Sequence, residues 1–166
     1  MTQDNLNAQK TDTNSQQPHF AVVAQFLKDL SFECPKPNVG INEKDLEMNV
    51  EVGLSTKKIA DDAYEVSLML KGNAHIKNEV VFVAEVNYAG HFVMQNIPLE
   101  QLDMLIGIES PALLFPFARK ILMNAISDAG FRSPMIEPIN FAHLYMQAKT
   151  QKQQAPEEQK KIEEKH

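Results

Sequence analysis

The side chains able to do chemistry are few and scattered. No two of the five histidines, His19, His75, His91, His143 and His166, are close in sequence. None has the i, i+4 spacing that sets two imidazoles on one helix face for a metal ion. Cys34 is the single cysteine, so the chain holds neither an intrachain disulfide nor a cysteine-based metal cluster. It precedes Pro35 with no histidine beside it to take its proton, and reads as a small apolar group at a strand end rather than a nucleophile. Asp61-Asp62 is the one adjacent acid pair ahead of the C-terminal tail. Such a pair is able to hold a cation, but before an apolar run its stronger tendency is to make a turn. The six glycines form no phosphate loop, and no Gly-x-Ser-x-Gly elbow is present. No catalytic residue, metal or cofactor is implied, and the search moves from reaction chemistry to surfaces. Because a fold gathers distant residues, a small-molecule-binding α+β domain or enzyme using His75, His91 or Asp62 stands as the alternative reading. An oligomeric scaffold without clients is a third.

The bulk properties agree with a surface-based function. The chain has 166 residues, 43% of them apolar, which suits one domain with a real core. A formal charge of −6 disfavours nucleic acid and anionic membranes as partners. No run approaches the ~18 apolar residues of a membrane span. The polar N-terminus has no apolar segment of the secretory type, so a cytosolic location is expected. Both ends read as disordered: 1–17, rich in Asn, Gln and Thr, and 149–166, rich in Gln, Glu and Lys. The domain is then 18–148. The tail's acids are answered by its lysines, so the net negative charge sits in the body.

The elements follow from periodicity. A first strand is expected within Phe20–Pro35, although its early part also reads as a helical turn. Leu46, Met48, Val50, Val52 and Leu54 alternate with polar residues or glycine and predict a second strand with one wet face. Lys57–Asp62 reads as a turn. A third strand runs from Tyr64 to Ile76, and a fourth from Val80 to Tyr88, with Ala89-Gly90 as turn or bulge. The fourth is apolar on both faces, which leaves open burial within one chain or against a partner. Short links predict an antiparallel meander. Leu99–Gly107 reads as a short helix. The main helix spans Pro111–Ala129, capped by Ser110 and stopped by Gly130. Pro116 lies inside it, where proline ordinarily costs about 3 kcal/mol, so a bend recovered by packing is expected. A last short helix, Phe141–Lys149, starts from Asn140. Strands first and helices second give an α+β fold.

Four ordered blocks carry a family resemblance: Asp29-Leu30-Ser31-Phe32-Glu33, Ala60-Asp61-Asp62-Ala63-Tyr64-Glu65-Val66, Leu114-Phe115-Pro116-Phe117-Ala118-Arg119 and Pro138-Ile139-Asn140-Phe141. Over about Phe20–Met146 the chain resembles the SecB protein-export chaperone family. The C-terminal tail departs from it in length and lysine content. The resemblance implies a four-stranded antiparallel sheet packed with one long and one short C-terminal helix, in a homotetramer built as a dimer of dimers. It implies a cytosolic holdase that binds unfolded secretory precursors and delivers them to the SecA motor ATPase, with no reaction of its own and no membrane insertion.

The resemblance also assigns surfaces. Client contacts fall on Met48, Val50 and Val52 of the second strand and on Phe141, Leu144 and Tyr145 of the last helix. The SecA-facing surface falls on Asp29, Glu33, Val83 and Glu85, meeting a small basic, zinc-holding tail of the motor. Ala84, Val86 and Tyr88 fall near subunit contacts. Eight methionines and nine phenylalanines suit a surface that accepts many sequences, and equally suit an ordinary core.

Overall fold

The computed structural model describes residues 17–37, 40–132 and 134–151. Apart from Gln17 and residues 149–151, both expected tails lie outside these residues. Four strands, β1 (His19–Glu33), β2 (Glu47–Ala60), β3 (Ala63–Ile76) and β4 (Glu79–Gln95), form one antiparallel sheet in the order β1-β4-β3-β2. The meander covers β2 to β4, and β1 then closes onto the free edge of β4.

Two expected breaks are continuous strand. Lys57 and Lys58 pair with Glu65 and Tyr64, so β2 runs on and only Asp61-Asp62 turns. Residues 54–60 are exposed on both faces of this edge strand, and a consecutive polar run such as Ser55-Thr56-Lys57-Lys58 resembles a turn by polarity alone. Ala89-Gly90 is neither turn nor bulge: both residues pair in register with β1 and β3. Gly90 is needed for close approach, since a Cβ there would lie 3.0 Å from Leu114 Cδ2 on the covering helix and 2.8 Å from the Phe92 ring. The bulges of β1 lie instead between Val22 and Ala24 and between Leu27 and Asp29.

The second bulge decides which side chains share a face. Leu27 is opposite Tyr88 and Asp29 is opposite Asn87, leaving Lys28 as the extra residue. Unbulged pairing would set Asp29 opposite buried Val86. The inserted residue turns Leu30 and Phe32 to the inner face, opposite Val86 and Ala84, and sends Asp29, Ser31 and Glu33 outward.

The inner face is covered by one unbroken helical run. It comprises α1 (Leu99–Met104), a wider turn (Leu105–Glu109) and α2 (Ser110–Asp128). Ser110 is not a cap, as the sequence suggests. Its backbone is helical (φ −60°, ψ −51°) and its N–H donates to Leu105 O, five residues back. Pro111 has no N–H for the Gly107 carbonyl, and the wide turn precedes it. Pro116 is accommodated within α2. It and Ala112, whose carbonyl loses its donor, are both exposed, so that carbonyl meets water. The helix ends in paired hydrogen bonds, Phe131 N–H to Ile126 O and Gly130 N–H to Ser127 O, with Gly130 at φ +86°.

Leu114, Ala118, Leu122 and Ile126 recur on the helix face that meets the sheet, and all are buried with Val66, Leu68, Leu70, Ala84, Val86 and Phe92. Phe115 is 6% exposed and belongs to this core, whereas Phe117 is 49% exposed and stacks on Tyr88 at 5.9 Å. A crossover, of which 131–132 and 134–140 are described, leads to the last helix, α3 (141–151). The Asn140 side chain caps it, Oδ1 accepting from His143 N–H at 2.9 Å. The helix runs past the expected tail boundary, with Thr150 Oγ1 donating to Met146 O.

Candidate functional site

Two surfaces collect the residues singled out from sequence. The first lies at the β2 edge. Met48, Val50 and Val52 point inward from this edge strand and remain half-buried, because the covering helix lies over β3 and β4 more than over β2. The crossover forms the opposite wall. Together they enclose a cavity of about 570 Å³ lined by the three β2 residues and Pro134, Met135, Ile136, Glu137, Pro138 and Ile139. A second cavity of about 720 Å³ continues it past Leu46 and Phe82 to Ile41, Asn42, Lys44 and Arg132. Met48, Pro134 and Met135 line both. The result is one open apolar trough running along a strand whose outer backbone edge is unpaired within the sheet.

The α3 residues divide. Phe141 is 4% exposed and stands edge-on to Phe115 at 5.9 Å, so it anchors the helix in the core and offers a client no surface. Leu144 and Tyr145 are half-buried. Tyr145 rests on Gly107, where a Cβ would come within 2.6 Å of its ring, and Lys149 Nζ lies 5.6 Å from the ring centre. Neither Leu144 nor Tyr145 lines the trough. No client contact is assigned to the crossover wall from sequence, although Pro138 and Ile139 fall in one of the four family blocks. Its signal was available: Met135, Ile136 and Ile139 between Pro134 and Pro138 are too apolar for a purely solvated link.

The second surface is the outer face of the sheet. Register brings Asp29, Glu33, Val83 and Glu85 together, since Glu33 pairs with Val83 and Ser31 with Glu85. Glu85 faces Lys71 at 3.8 Å. Among the described residues Asp29 and Glu33 carry no ion pair. Further along this face, Lys28 reaches across β4 to Glu65 Oε1 at 2.6 Å, and His91 Nε2 lies 3.1 Å from Glu65 Oε2. Hydrogen bonding from Lys28, then from His91, holds the Glu65 carboxyl below its ordinary value. The face is therefore acidic at one end and neutralised at the other.

The expected subunit contacts need correction. Ala84 and Val86 are 0% exposed beneath the chain's own helix and present nothing to a partner. The sequence shows a strand apolar on both faces, but at Ala84 and Val86 the inner face is already fully buried within one chain. Tyr88 is half-buried and reaches the surface beside Phe117.

The residues of the alternative small-molecule reading do not converge. Asp62 lies in the β2–β3 turn and His75 near the far end of β3, roughly 40 Å away along a strand rising about 3.3 Å per residue. His91 is engaged with Glu65 and sits edge-on to Phe26 at 5.0 Å. Cys34 Sγ donates to Lys36 O at 3.2 Å. Among the described residues no cluster of three metal-ligating side chains occurs, and no helix is long and apolar enough to cross a membrane.

An open trough beside a free strand edge, with a separate acidic face, is a shape suited to binding extended polypeptide. The family model described as "Preprotein translocase subunit SecB" matches residues 13–152. The "Protein-export protein SecB" of Zymomonas mobilis is 40% identical over 148 residues, covering 89% of this chain and 90% of the relative. That of Dechloromonas aromatica is 35% identical over 145 residues, covering 87% and 95%. A Mycobacterium tuberculosis SecB-like chaperone, solved with an antitoxin peptide, shares the fold at TM-score 0.60 and 13% identity, over 72% of this chain and 90% of that one. The chain belongs to the SecB family, whose members are export chaperones and not enzymes.

Proposed function

We propose that the trough holds extended apolar segments of unfolded secretory precursors, with Met48, Val50 and Val52 as floor and crossover residues 134–139 as wall. The observation that carries this reading is the cavity of about 570 Å³ between these elements, open along an edge strand. A segment lying there buries apolar side chains against methionine and branched residues, which accept varied shapes. Its backbone is also able to pair with the unpaired edge of β2. Leu144 and Tyr145 extend the contact surface beyond the trough. Binding the unfolded form alone depletes the folded form by mass action and delays folding, with no need for ATP.

The outer face around Asp29, Glu33, Val83 and Glu85 is proposed to meet the SecA motor ATPase. It lies on the opposite side of the sheet from the trough, so client and motor are held at once. Acid-to-base recognition of this kind speeds encounter and weakens with salt. Work in the cytosol as a homotetramer, a dimer of dimers, completes the proposal. The exposed Leu27, Leu30, Leu113 and Phe117 beside Tyr88 supply apolar area suited to a subunit contact.

The test mixes the purified protein with an unfolded secretory precursor and follows refolding. Retardation at a few-fold excess of tetramer is expected, and Val50→Asp should abolish it. Refolding at the unassisted rate under that excess would overturn the reading.

A further inference from the structure

The crossover wall carries a feature that client binding alone does not require. Met135 is 92% exposed, yet it lines both compartments of the trough. Met48 lies opposite on the floor, half-buried, its sulfur packed toward Gly72. Of these two methionines at the waist of the trough, Met135 is thus the more open to solvent reagents. The exposed Met69, Met104 and Met146 line neither compartment.

We propose that Met135 is an oxidation site through which hydroperoxides weaken client binding; this rests on the trough being the client site. The sulfur lone pair forms an S–O bond with one peroxide oxygen as the O–O bond breaks. The sulfur is oxidised by two electrons, and the second oxygen, with the proton released by the first, leaves as water from hydrogen peroxide or as an alcohol from an organic hydroperoxide. A flexible apolar group at the waist becomes a strong hydrogen-bond acceptor. A client segment that covers it strips its water, and an acceptor covered without a donor weakens binding by about tenfold. A sulfoxide reductase with a dithiol reverses the change by removing the oxygen as water while the dithiol becomes a disulfide.

The experiment uses the full chain, hydrogen peroxide, and an unfolded secretory precursor whose folding is slow. Peptide mass mapping reports which methionines gain oxygen. The readout is the ratio of client Kd after and before treatment, taken separately for the wild type, Met135→Leu and Met146→Leu. A ratio near ten is expected for the wild type and Met146→Leu, and a ratio below two for Met135→Leu. Sulfoxide reductase with dithiothreitol should restore the wild type, whereas dithiothreitol alone, which reduces only Cys34 products, should not. Full oxidation of Met135 with an unchanged Kd overturns the proposal, as does an equal rise in Met135→Leu. An untreated wild type that fails to bind the precursor instead overturns the trough reading, and this inference with it.

Discussion

Replacing Gly107 by alanine tests how the last helix is held. The added Cβ would lie 2.6 Å from Tyr145 Cδ2 and 3.1 Å from Cε2. Carbon atoms rest at about 3.5–4.0 Å, so the ring must retreat by roughly 1 Å or rotate off its seat. Overpacking of this kind costs about 1–3 kcal/mol, against which alanine returns up to about 1 kcal/mol of helix propensity. The cost falls on α3, since Gly107 faces its tyrosine rather than the sheet, and a helix of this length is marginal without docking. Hydrogen exchange read by mass spectrometry should show the 141–151 amides exchanging about tenfold faster, equivalent to about 1.4 kcal/mol. The amides of β3 and β4 should be unchanged. In the double variant with Tyr145→Ala the clash is gone, so the two substitutions should be non-additive by about 1 kcal/mol or more. Unchanged or slower exchange in α3, or equal acceleration in the sheet, would refute the reasoning.

Four further outcomes are expected. Phe115→Ala should cost about 3–5 kcal/mol in urea unfolding, while half-exposed Phe117→Ala should cost about 1 kcal/mol; equal losses would contradict their different burial. Ser110→Ala removes a buried hydroxyl that has no hydrogen-bond partner among the described residues, so the melting temperature should hold or rise, and a clear fall would count against that description. Glu65 has a depressed carboxyl value, so its stabilising contribution is present above the ordinary 4.5 and is lost as pH falls through the lower folded value. Glu65→Gln should therefore flatten this acid limb of the stability profile, and an unaltered limb would remove the Lys28–Glu65 pair as its cause. Glu33→Lys with Glu85→Lys should weaken SecA binding in calorimetry and leave client Kd unchanged; parallel loss of both would erase the division of surfaces.

Local pattern was enough wherever one short-range rule governs. The β2 alternation, the Asn140 cap and the Gly130 stop are each written within a few residues, and each lies where its rule places it. Readings failed where a longer-range contact overrides the local signal. Ser110-Pro111 has the chemistry of a helix start, but α1 is already helical before it and the wide turn carries the chain through. Ala89-Gly90 has turn composition, but pairing on both sides keeps it extended while Leu114 fills the space a side chain would take.

The sequence by itself determined the α+β class, the strand and helix order and the family, because periodicity, caps and ordered motif blocks are local properties of the chain. Tertiary structure alone decided which side of each surface a residue joins. The Lys28 bulge re-phases β1 and gathers Asp29, Glu33, Val83 and Glu85 onto one face. The helix buries Ala84 and Val86, which the family resemblance placed near a subunit contact, and Phe115 draws Phe141 into the core. The crossover folds opposite β2 to make a trough from residues more than eighty positions apart. Facing depends on register and on what packs above, and neither is recorded in the spacing of residues along the chain.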